Sequence, residues 1–178
     1  MTTTATMDQA EIELFRENTR KFLEKEVAPH YDRWEKDGIL PRSLWSALGE
    51  NGFLCVDVPE EYGGAGSVFR LSAVVVEEMT RLGFGALASN VSVHSDIVAP
   101  YILHLGTAAQ KQRWLPKMVT GEAVGAIAMT EPGAGSDLQG MKMKAEKHGD
   151  TYVLDGAKTF ITNGQHCDVE IGRASCRE

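Results

Sequence analysis

The densest group of residues able to do chemistry in this 178-residue chain is Ala128-Met129-Thr130-Glu131-Pro132-Gly133-Ala134-Gly135-Ser136-Asp137-Leu138-Gln139-Gly140. A short apolar run ending near Met129 opens into a loop with two hydroxyls, Thr130 and Ser136, and two carboxylates, Glu131 and Asp137. Glycines let the backbone come close to a ligand and take positive φ, so several N–H groups can converge on an anion or on cofactor heteroatoms. No Lys follows the glycines, so this is not a P-loop. Alternating strand-like residues follow, not a helix, so it is not the dinucleotide fingerprint either. Taken alone, the segment reads equally as an ordinary β loop or as a cofactor loop.

Other reactive residue types form weaker patterns. His30, His94, His104, His148 and His166 lack metal-ligand spacing and read as solvent or packing residues. Cys167 follows His166, but adjacent strand residues face opposite sides, so they are no nucleophile pair. Trp34, Trp45 and Trp114 fall at helical spacing and read as core or interface. Glu60-Glu61, Glu77-Glu78 and the Lys142/Lys144 edge read as solvated faces.

The elements that must position the loop come in two blocks. Asp8 to Glu11 has capping-box spacing, with Ile12, Phe15, Thr19, Phe22, Leu23 and Val27 recurring behind it until Pro29. Pro41 suits a first helical position ahead of Leu44, Trp45 and Leu48. Leu71, Val74, Val75, Met79 and Leu82 form one helical face, stopped by Gly83. A longer helix is expected over about 84–105, kinked or split by Pro100. Thr107 to Gln110 is a second capping box, opening a helix that closes at Gly121.

From residue 122 the pattern turns to strands. Val124 to Met129 has strand length, and Met141 to Glu146 alternates strictly. His148-Gly149-Asp150 is a turn; Tyr152 to Leu154 and Lys158 to Thr162 read as strands, with Asn163-Gly164 as a hairpin turn. The fold class is thus multi-domain α and β. An all-α helical domain (1–121) precedes a truncated antiparallel, barrel-like β domain (122–170). So few strands leave open edges and an uncovered face.

Composition narrows the function classes. With 43% hydrophobic and 24% charged residues, the chain is neither disordered nor a coiled coil. No apolar run approaches the roughly 20 residues of a membrane span. The net charge of -7 argues against nucleic acid as a partner. Cys55, Cys167 and Cys176 are scattered and odd in number, as in a reducing compartment. The start MTTTATMDQAEIE has no leader pattern, so a cytoplasmic location is expected.

The loop from Ala128 to Gly140 resembles, without a break, the first signature of the acyl-CoA dehydrogenase family. Further segments are similar in order and spacing: Pro59 to Gly66, His94 to Val98, Gly106 to Lys111 and Gly156 to Gly164. Together they cover about residues 8–170. The His-Ser-Asp helix and the run Gly125 to Glu131 look most like the long-chain branch.

The resemblance implies FAD as cofactor. Ile127, Ala128, Met129, Thr130, Glu131, Pro132, Gly133, Ala134, Gly135 and Ser136 would contact it, Thr130 through the pyrimidine side of the ring. Phe160, Ile161 and Thr162 would pack beside the ring, Thr162 near its hydride-accepting nitrogen. Ser136 would also touch the acyl-CoA. Ser95, Val98, Ala99 and Ile102 would either line the acyl channel or simply pack the core. The family reaction is α,β-dehydrogenation of a fatty acyl-CoA thioester, with electrons passed to an electron-transfer flavoprotein. The full-length parent is expected to be a homotetramer. Its glutamate base belongs to a C-terminal helical domain, so no catalytic residue and no metal site is assigned here, and Glu131 is expected to be a structural acid. Rival readings are an acyl-CoA oxidase or nitroalkane oxidase on the same scaffold, and a short helical interaction module without catalysis.

The sequence departs from the family after Asp168. Residues 171–178, Ile-Gly-Arg-Ala-Ser-Cys-Arg-Glu, resemble a translated sequencing-adapter read-through and are expected to be non-native. Resequencing the locus across codon 170 should then reveal a long open frame. The same tail and a stop codon in independent genomic DNA would refute this.

Overall fold

The structure, a computed structural model, describes residues 8–177. Helices come first: α1 (Gln9–Phe22), α2 (Tyr31–Asp37), α3 (Arg42–Glu50), α4 (Phe69–Arg81), α5 (Gly85–Ser92), α6 (Ala99–Leu105) and α7 (Ala108–Val119). Strands follow: β1 (Gly125–Ala128), β2 (Lys144–His148), β3 (Thr151–Asp155), β4 (Val169–Gly172) and β5 (Ser175–Arg177). Both capping boxes form, Asp8 with Glu11 and Thr107 with Gln110. Pro41 sits one residue earlier than expected, as the extended cap of α3. Among the described residues no helix is long and apolar enough to cross a membrane.

Pro100 acts on the expected long helix in a specific way. Lacking an N–H, it cannot continue the α ladder. The chain widens into a π segment, Val93–Val98, between α5 and α6, and the Ala99 N–H reaches back five residues to His94 O. One extra residue is thus absorbed without breaking the rod.

The core is helical and centres on Trp45, Leu48, Leu54, Met79, Leu87, Leu115 and Met118. Gly121 lets the end of α7 lie against α3. Its φ is +75°, and a Cβ there would fall 2.1 Å from Trp45 O. Glu78, expected on a wet face, is buried instead. Its carboxylate accepts hydrogen bonds from Arg20 Nε at 2.8 Å and Arg16 Nη1 at 2.9 Å, tying α4 to α1.

The β portion differs from the expected antiparallel ladder. Only β2 and β3 pair antiparallel, Ala145 opposite Leu154; β1 pairs β4 in parallel, and β2 pairs β5 in parallel. Residues 171–177, expected to be non-native, lie in these two parallel ladders. Lys158 to Thr162 is not a strand, because Phe160 takes φ +55° and Asn163 φ +65°, which bends the backbone into a turn over 162–166. Asn163-Gly164 therefore caps a local turn and joins no hairpin. Met141 to Met143 also stay outside β2, since the Lys142 and Met143 amides are taken by the Glu131 carboxylate. The uncovered face is present: Tyr152, Val153 and Leu154 on β3 are all more than half exposed.

The Arg20 hydrogen bond, ahead of that from Arg16, holds the Glu78 carboxyl below the usual carboxylate range. A lowered folded pKa contributes stability above the unfolded value near 4.5, lost as pH falls through the folded pKa. Glu78→Gln should destabilise the chain at pH 7 by about 1–3 kcal/mol, the half-exposed arginines limiting the loss. Thermal melts at pH 7 and pH 3.5 should show a smaller acid-induced drop in Tm for the variant than for the parent chain.

Candidate functional site

The Gly-rich loop leaves β1 and turns at once. Glu131 N–H donates to Ala134 O at 2.9 Å and Ala134 N–H returns to Glu131 O at 3.1 Å, closing a turn over Pro132 and Gly133. The Glu131 carboxylate points inward. Oε2 accepts Lys142 N–H at 2.6 Å, and Oε1 accepts Met143 N–H at 3.0 Å and Lys158 Nζ at 3.0 Å. The Lys142 amide first, and then the Lys158 ammonium, hold this carboxyl below its ordinary range. Thr159 N–H donates to Thr130 O at 3.0 Å, so the loop and the 158–162 segment lie side by side.

This leaves an open surface rich in donors. The amides of Gly133, Gly135 and Ser136 and the hydroxyls of Thr130 and Ser136 have no protein partner among the described residues. A Cβ built on Gly133 or Gly135 would meet nothing within 4 Å. Beside them Phe160 is 93% exposed, on a backbone turned to positive φ. A groove of about 610 Å³ runs past Glu131, Pro132, Gly133 and Lys142 to Asp155 and Gly156. A second, of about 450 Å³, is lined by Ile39, Leu40, Asn90 and residues 160–166.

What aims this surface is a joint to the helices. His94, buried in the π segment, accepts the Gly125 N–H on Nδ1 at 3.0 Å and donates from Nε2 to Met118 O at 3.0 Å. These partners fix the neutral tautomer. Asn163 Nδ2 donates to Gly125 O at 3.0 Å and to Asn90 O at 3.0 Å. Arg42 reaches across to Glu122 O at 2.6 Å, His166 O at 2.9 Å and Asp168 Oδ2 at 2.8 Å, and Asp168 accepts the Val124 N–H at 2.8 Å.

Comparison with known proteins decides the family. The description "Acyl-CoA dehydrogenase, N-terminal domain" matches residues 9–122, and "Acyl-CoA dehydrogenase, middle domain" matches residues 126–177. The chain belongs to the acyl-CoA dehydrogenase family. It is 45% identical to the pig mitochondrial long-chain specific acyl-CoA dehydrogenase over 162 residues, covering 91% of this chain and 37% of the relative. An acyl-CoA dehydrogenase from Geobacillus kaustophilus is 52% identical with a TM-score of 0.90, covering 97% of this chain and 44% of that one. A glutaryl-CoA dehydrogenase from Mycobacterium smegmatis, solved in complex with FADH2, is 30% identical with a TM-score of 0.88, covering 98% and 44%. The chain thus spans less than half the length of these relatives. The pig relative's name places it in mitochondria, where the sequence pointed to the cytoplasm.

Within the acyl-CoA dehydrogenase framework the two predicted segments meet. Ile127, Met129 and Thr130 are half-buried, Ala128, Glu131 and Ala134 are buried, and Pro132, Gly133, Gly135 and Ser136 are exposed. Ile161 and Thr162 are half-buried beside the exposed Phe160. Ser95, Val98, Ala99 and Ile102 are all turned into the core, which supports packing over an acyl channel. His94 and Asn163 were not singled out from sequence. Their signals were a positive-φ Asn and a polar residue on an apolar helix face, each of which only partners at a distance make meaningful.

Burial pushes the His94 imidazole down to about 4. The unfolded imidazole titrates near 6.5, so the neutral native ring contributes its full stability above that pH and loses it as pH falls toward 4, on the order of 3 kcal/mol in all. Urea melts at pH 7.0, 5.5 and 4.5 should show this slope. His94→Phe should remove it and cost about 2–4 kcal/mol at pH 7 by leaving Gly125 N–H and Met118 C=O unpaired.

Proposed function

We propose that this chain is the helical domain (1–121) and the flavin-facing part of the β domain (122–170) of a FAD-dependent acyl-CoA dehydrogenase acting on fatty acyl-CoA thioesters. An electron-transfer flavoprotein as electron acceptor and a homotetrameric whole enzyme follow from the same family reading. The observation that carries it is the open surface itself: unpaired amides at Gly133, Gly135 and Ser136, free hydroxyls at Thr130 and Ser136, and an aromatic ring with no cover. That donor set and apolar plate suit a large flat heterocycle with an anionic tail.

Residues 127–136 and 160–162 are the proposed flavin contacts. Bound FAD would supply the hydride acceptor for the substrate's β carbon. Thr130 and the loop amides would orient the ring and tune it by hydrogen bonding, while Phe160 would keep water from its face. Ser136 would meet the acyl-CoA. The loop carboxylates are poorly placed as the α-proton base: both Glu131 oxygens are engaged, and Asp137 Oδ1 accepts the Gln139 N–H at 3.1 Å. The base is therefore proposed to lie outside this chain.

The test is a titration of the chain with FAD, followed by amide chemical shifts. Weak, saturable shifts are expected at Thr130, Gly133, Gly135, Ser136, Phe160 and Thr162, with no yellow protein surviving gel filtration. Thr130→Val should weaken binding by about tenfold, the worth of one hydrogen bond. Shifts absent from this surface would overturn the flavin reading. A stoichiometric yellow complex would overturn the view that most contacts lie elsewhere.

A further inference from the structure

The loop's two legs are held by one buried cation. Lys158 Nζ donates to Glu131 Oε1 at 3.0 Å and Met129 O at 3.1 Å, and lies 3.5 Å from Met141 Sδ. The Lys158 side chain is 8% exposed and the Glu131 side chain 6%. Met129 and Glu131 belong to the outgoing leg, Met141 to Met143 to the returning leg, and Lys158 to the segment that carries Phe160. Between the legs, residues 132–140 have few interactions of their own: a turn closed by Ala134, and an Asp137 side chain accepting from Gln139.

Burying an ammonium and a carboxylate costs desolvation that a hydrophobic pair of equal volume would avoid. An ion pair serves here where an apolar contact would not, because it has direction. Glu131 presents two oxygens to three donors on two different segments, and Lys158 presents several hydrogens to acceptors on the outgoing leg. An apolar pair would close the same space but leave the legs free to slide.

We propose that Lys158 is a positioning residue, a clasp that with Glu131 sets the separation and orientation of the two legs so that the free amides of Gly133, Gly135 and Ser136 and the ring of Phe160 face one ligand. The proposal rests on the flavin reading for the identity of that ligand, and on the hydrogen bonds above for the clasp.

The experiment compares the full chain with Lys158→Met, Lys158→Arg and the double variant Lys158→Met/Glu131→Gln, which leaves no lone buried charge. Two readouts are taken: hydrogen exchange of the Lys142, Met143 and Thr159 amides, and the FAD-induced shifts at Gly133, Gly135 and Ser136. In Lys158→Met and in the double variant, exchange at these three amides should rise at least tenfold while Leu115 and Met118 in α7 keep their protection, and the FAD shifts should fall at least tenfold at equal ligand. Lys158→Arg should restore part of both. Unchanged exchange in a folded double variant would overturn the clasp. Faster exchange with undiminished FAD shifts would overturn its positioning role. Absence of FAD shifts in the parent chain, with exchange still responding to Lys158→Met, would instead refute the flavin reading and leave the clasp standing.

Discussion

Both backbone polar groups of Gly125 are spoken for by side chains, and the rest of the site follows from that. Its N–H goes to His94 and its C=O to Asn163. At this point the chain passes from helix to strand, and the first strand has a single protein partner, β4, on its ladder. A strand with so little sheet around it would lose its register if its first residue were not pinned from the helical side. There is no room for a side chain at that residue: a Cβ would fall 2.7 Å from Val98 Cγ1. The same close approach brings Gly125 within reach of an imidazole on a buried helix.

From this pin the chemistry is laid out by distance along the chain. Residues 125–128 form β1, and the Gly-rich loop starts two residues later. The segment 158–162 is brought alongside by one backbone hydrogen bond, Thr159 to Thr130, and by Lys158. The surface has many open donors because its local hydrogen-bonding needs are met by buried charges: the Glu131 carboxylate satisfies amides on the returning leg, so the loop tip need not fold back on itself. Polar groups left facing solvent cost little; the same groups buried without partners would cost about 1–3 kcal/mol each.

Much of this was legible in the sequence. Capping boxes, the α4 face and the stop at Gly121 depend on neighbours a turn apart, and the helices came out as their spacing predicts. The loop was legible as a whole pattern, since glycines and hydroxyls at fixed offsets are a local signature. The strands were less so. Lys158 to Thr162 has strand-like residue types, but Phe160 and Asn163 adopt positive φ because partners in the helical part and in the loop fix them there. Glu78 reads like any surface glutamate until two arginines, about sixty residues away, close over it. His94 was set aside for want of ligand spacing, although its role depends on two backbone groups that a residue pattern cannot display.

The π segment before Pro100 also governs how the chain tolerates changes in length. One residue more than an α-helix needs is stored between Val93 and Val98, and it sets which way everything downstream points. Val98, Ala99 and Ile102 face inward, while Ile97, Tyr101 and Leu105 are 36%, 43% and 77% exposed. Loss of one residue from this stretch would restore a regular helix and rotate α6 by about 100°. The exposed stripe would swing toward the core, and the buried one away from it. A substitution in the segment alters one contact, whereas a one-codon deletion exchanges two faces. Length here is therefore held more tightly than identity.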